Sequence, residues 1–75
     1  MKIAVECYAG HKGGERPLRF RLGERWIAVR EIADRWYDPE ASFFRVRGED
    51  GAIYILRHDQ RLDEWTLVSY RRQEL

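Results

Sequence analysis

Short runs in which apolar and polar residues alternate, each bounded by Gly, Pro or Asp, predict an all-β chain. Three runs carry the prediction. Ile3, Val5 and Cys7 alternate with mostly polar neighbours. Leu18, Phe20 and Leu22 alternate with Arg19 and Arg21. Phe44 and Val46 alternate with Phe43, Arg45 and Arg47. With 75 residues the chain is one domain, folded over 2–70 with a tail at 71–75.

The first strand is expected over residues 2–8, followed by a glycine-rich loop at 10–17. The second runs over 17–22. Gly23-Glu24 then offers a two-residue turn with glycine first, as type II′ hairpins prefer. That turn sets Phe20 opposite Ile27, Leu18 opposite Val29, and Arg21 opposite Trp26 as a cation–π pair.

Residues 29–36 read two ways. Val29, Ile32, Ala33 and Trp36 fall at helical spacing, which fits a short helix near 29–37 and an α+β fold. No cap or break separates them from the strand before, however. A single bulge near Arg30-Glu31 would keep Ile27, Val29, Ile32 and Trp36 on one face of a long bent strand, and this is the stronger reading.

Asp38-Pro39 ends that element. The next strand, 42–47, turns Phe44 and Val46 inward and Phe43, Arg45 and Arg47 outward. Across the Gly48–Gly51 turn, Val46 should meet Ile53 or Ile55, leaving Tyr54 with the arginines. Residues 52–57 are apolar on both faces, as a central strand would be. A polar connection over 58–64 leads to a last strand at 65–70. Five or six strands joined this way form an antiparallel meander, which in so few residues rolls into a small SH3-like or OB-like barrel.

Composition narrows the function. A chain this short buries only about 60% of its unfolded surface, and its stability scales to about 4–10 kcal/mol. Ten aromatics help such a domain hold a core. Net charge is +1, which disfavours a strong non-specific polyanion binder. A lone Cys7 and an N-terminus without an apolar leader core point to the cytoplasm, and the longest apolar run, 52–56, is too short to span a bilayer.

Catalytic patterns are thin. Cys7, His11 and His58 fall short of the two close ligand pairs of a structural zinc site, so no metal or other cofactor is expected. The chain has no Asn for a Cys-His-Asn set. Ser42 or Ser69 could be combined with His58, but neither sits on a nucleophile elbow. Gly10–Gly14 lacks the P-loop register. The expected role is therefore non-enzymatic binding.

The candidate binding face is the outward side of the two hairpins: Arg19, Arg21, Trp26, Phe43, Arg45, Arg47 and Tyr54. Guanidiniums among aromatics suit single-stranded nucleic acid. A solvated sheet face, with long Arg stems covering apolar surface, is the plainer account. At net charge +1 a protein partner is expected ahead of nucleic acid, and no membrane partner. A homodimer through an edge strand is compatible with either.

From Pro17 to Val68 the chain resembles a group of small bacterial proteins classed as a domain of unknown function. The stretches that carry the likeness are RPLRFRLGERWIAVREIADRWY, FRVRGEDGAIYILRHD and EWTLV. The resemblance implies no activity and assigns no residue a role. Some similar domains are encoded near DNA-repair polymerases, which adds some weight to the nucleic-acid reading. VREIADRW followed by FFRVRG is also similar to the first strands of chromodomain-like barrels, which supports a strand over 29–36.

Overall fold

The computed structural model describes residues 1–9 and 15–72. They form six antiparallel strands: β1 (Lys2–Ala9), β2 (Glu15–Leu22), β3 (Arg25–Tyr37), β4 (Ala41–Gly48), β5 (Ile53–Asp59) and β6 (Glu64–Arg71). Each strand pairs with the next, and β6 returns to β1, closing a barrel whose strand order is the chain order. The expected small all-β barrel is what forms. The helical alternative is overturned, because β3 is strand from end to end. No helix among the described residues is long and apolar enough to cross a membrane. Of the glycine-rich loop expected at 10–17, residues 15–17 belong to β2 instead, while residues 10–14, and 73–75 of the tail, lie outside the described residues.

The β2–β3 hairpin has the expected register, with Phe20 opposite Ile27 and Arg21 opposite Trp26. Of its two turn residues only Gly23 takes a positive φ, 61°, the pattern of a II′ turn. Nothing crowds a Cβ there, so an alanine would feel the backbone alone. Gly23→Ala is expected to cost about 1–2 kcal/mol in urea unfolding. A wild-type midpoint would show that the turn has relaxed to another form.

Among the described residues, register shifts interrupt the alternation in β1–β2, twice in β3–β4, and in β5–β6. Each inserts one unpaired residue and reverses which side faces in. The β2 bulge falls at Leu18, which is exposed while Pro17 goes inside, so the expected Leu18–Val29 pair does not form. The bulges in β3 fall at Arg30, as expected, and at Ala33. The second turns Trp36 outward, against expectation, beside Phe43. It also brings Arg35 to the side of Phe44, where its guanidinium sits 4.9 Å from the ring centroid. The bulge in β6 leaves Val68 exposed.

The interior is filled by Phe20, Ile27, Phe44, Val46, Ala52, Tyr54, Leu56 and Trp65, with Ile3, Val5, Cys7, Leu22, Val29, Ile32 and Leu67 packed around them. Aspartates close three connections by taking backbone amides. Asp38 accepts from Glu40 and Ala41, Asp50 from Ala52, and Asp59 from Arg61 and Leu62. β5 runs through His58 to Asp59 and β6 starts at Glu64, so the connection between them is shorter than the expected 58–64.

The barrel closes on a short seam. Only Lys2–Thr66 and Ile3–Trp65 pair between β1 and β6, and the Leu67 amide donates to the Met1 carbonyl at 2.6 Å.

Candidate binding face

The outward residues of β3–β6 follow from the pairing. One row across the sheet is Trp36, Phe43, Arg57, Thr66. The next is Asp34, Arg45, Ile55, Ser69. The third is Glu31, Arg47, Ile53, Arg71. Along β4 and β5 the outward positions repeat every second residue, because no bulge interrupts that pair. The isoleucine side chains are short and the arginines beside them long. The result is an open groove of about 840 Å³ over β5, with Ile53 and Ile55 on its floor and Arg45, Arg47, Arg71 and Arg72 at its sides.

The groove's charge is only partly answered from within. Arg45 lies 3.5 Å from Asp34, and the Arg47 Nε lies 3.8 Å from Glu31, beyond hydrogen-bond reach. That Nε is buried and makes no hydrogen bond. No carboxylate among the described residues comes within 4.0 Å of Arg71 or Arg72. At one end of the face Trp36 and Phe43 stack with centroids 5.5 Å apart and planes 1° from parallel. The Arg57 guanidinium lies 5.9 Å from the Phe43 ring.

The seven expected face residues do not form one surface. Arg19, Arg21 and Trp26 belong to the part of the barrel made by β1, β2 and the first residues of β3. Phe43, Arg45 and Arg47 belong to the part made by β4–β6 and the rest of β3. In the first group two of the three side chains have local hydrogen-bond partners. Glu6 grips Arg19 through two oxygens at 2.8 and 2.7 Å, and this hydrogen bond holds the Glu6 carboxyl below its ordinary value. Arg19, not Arg21, stacks over Trp26, at 4.6 Å on the cross-strand diagonal. Arg21 donates to the Gly23 carbonyl.

Tyr54 is a correction. It is 1% exposed, pairs with Val46 on the inner side, and meets Phe20 edge-on. Its place on the face is taken by Ile53 and Ile55. In a strand apolar on both sides, alternation marks two sets without saying which goes in, and the hydroxyl decides. The Tyr54 side chain reaches back over the turn and donates to Asp50 at 2.5 Å, so its one polar atom is answered inside. Burial first, then the bond to Asp50, raises its pKa far above the ordinary tyrosine value.

His58 lies inside as well, stacked on Trp65 with centroids 4.4 Å apart and hydrogen-bonded through Nε2 to Asp63 at 2.8 Å. Ser42 stands opposite His58 in the register, and its hydroxyl accepts from Gln60 at 2.6 Å. Ser69 is on the outer face. His11 lies outside the described residues. Among the described residues no group of three or more His, Cys, Asp or Glu is placed to hold a metal ion.

Comparison with protein-family models, curated proteins and solved structures finds no match to this chain. Geometry therefore carries the functional reading. Reasoning from the chain misses Ile53, Ile55 and Arg57, which join Arg45 and Arg47 once the inward side of β5 is known, and Arg71 and Arg72, which fall in the expected tail while β6 runs to Arg71.

Proposed function

We propose that this domain is a non-enzymatic binding module that docks a segment of a partner protein on the outer face of β3–β6. The observation that supports it is the groove: an aliphatic floor at Ile53 and Ile55 between guanidiniums with few acidic partners of their own. Apolar floors with a charged rim suit a protein segment that brings apolar and acidic side chains. Single-stranded nucleic acid needs exposed aromatic platforms for its bases. Here the exposed Trp36 stacks on Phe43 outside the groove, and among the aromatics Tyr70 alone lines it.

The test is selection from a random peptide library on immobilised protein, beside a salt titration with a fluorescent oligothymidylate. Selected peptides are expected to combine acidic and apolar residues. Joint replacement Arg45→Gln and Arg47→Gln is expected to weaken them about tenfold or more, with the barrel still folded by circular dichroism. Oligonucleotide binding with a log–log salt slope of about −0.7 per contacted phosphate, and no peptide selected, would replace this reading by the nucleic-acid one.

A further inference from the structure

We infer that the segment held in the groove is an extended strand with acidic side chains at alternate positions. This rests on the protein-docking reading above and adds the conformation and pattern of the partner.

The groove has a built-in repeat. Arg45 and Arg47 on β4, Ile55 and Ile53 on β5, and Ser69 and Arg71 on β6 stand in register, row by row. Residues two apart on a strand are about 6.6–6.8 Å apart, and neighbouring strands about 4.8 Å apart. The floor is therefore a lane along β5 with a guanidinium rail on the β4 side and Ser69 and Arg71 on the β6 side. The rails are two strand spacings apart, about 9.6 Å between backbones. An extended chain laid along this lane repeats its side chains at the rail's own spacing, about 6.6–6.8 Å for alternate residues.

Side chains of an extended segment leave its backbone alternately to either side. Acids at one residue and the next but one would reach Arg45 and Arg47 together. The residues between them face Ser69 and Arg71, and the isoleucine methyls take whatever apolar surface faces down. Charge complementarity selects the sign of the occupant. Between them the four guanidiniums of the groove have two carboxylates within 4.0 Å among the described residues, both at 3.5 Å or more.

The experiment uses two synthetic peptides of one composition, rich in glutamate and valine. One alternates them and the other gathers the glutamates in a block. The alternating peptide is expected to bind about tenfold tighter and to shift the amide signals of Arg45, Ile55 and Arg71. Arg47→Glu should abolish that preference and confer binding to the same peptide with lysines in place of glutamates. Equal binding of the two peptides would overturn the inference, showing bulk attraction only, while leaving protein docking in place. Oligothymidylate binding without either peptide would overturn both. A sedimenting dimer lost in Arg47→Glu would put a second copy in the groove and also overturn the inference.

Discussion

Phe20→Ala is expected to leave the chain largely unfolded in mild denaturant, where the native domain is intact. Phe20 is 0% exposed and sits where the two parts of the barrel meet. It pairs with Ile27 across the hairpin and packs edge-on against Tyr54, 4.8 Å between centroids. Truncating a buried phenylalanine costs about 3–5 kcal/mol. A domain of this length has about 4–10 kcal/mol in all. The loss therefore consumes a large share of the whole stability. Urea unfolding followed by tryptophan fluorescence reads it directly. A loss under about 0.5 kcal/mol, the scale of an ordinary surface change, would mean that the interior is not organised around this ring.

Asp50→Asn is expected to flatten the acid limb of the stability profile and to weaken the domain at neutral pH. The turn between β4 and β5 works as one unit. Asp50 accepts the Tyr54 hydroxyl and the Ala52 amide. Gly48 lies beneath them: a Cβ there would come 2.6 Å from the Asp50 Oδ1, 2.9 Å from Ile27 and 3.0 Å from Tyr54. Burial opposes the charged form of Asp50. The bonds from Tyr54 and the turn amides outweigh it, with Arg25 helping, and its pKa lies below the ordinary 3.8.

A carboxylate whose pKa is depressed by folding stabilises the native state above its unfolded value. That contribution disappears as pH falls through the folded value. Wild-type stability should therefore drop below about pH 3.8 on acidification, and Asp50→Asn should drop less. At neutral pH, replacing the charged acceptor of a buried hydroxyl costs about 1.5–3 kcal/mol. Parallel pH profiles for the two proteins would remove Asp50 from the account.

The strands were legible in the chain because alternation and turn residues agree. Gly23 gave the hairpin its register, and the long run without a cap read correctly as a bent β3. Sidedness was legible only between bulges. A bulge adds one residue and has no fixed sequence mark, so Leu18 and Trp36 were assigned to the wrong side of their strands. β5 failed for a different reason. Ile53, Tyr54, Ile55 and Leu56 are apolar on both sides, and period two cannot choose between them. The partner of the tyrosine hydroxyl chose, and it lies across a turn. Of the candidate site, Arg45 and Arg47 with Phe43 are legible in the chain. The isoleucine floor depended on β5, and Arg71 and Arg72 had been assigned to a tail.

The seam between β1 and β6 has a kinetic consequence. Every other strand pair joins neighbours along the chain, whereas this one joins Met1 to Leu67, 66 residues apart. Loop closure of that length is the costliest contact in the topology and is held by few bonds. Amides of Ile3 and Leu67 should then exchange with deuterium through a sub-global opening, well ahead of those in β4 and β5. In that opened form the meander lies as a flat ribbon with both margins bare, the species from which strand-exchanged oligomers would grow at high concentration.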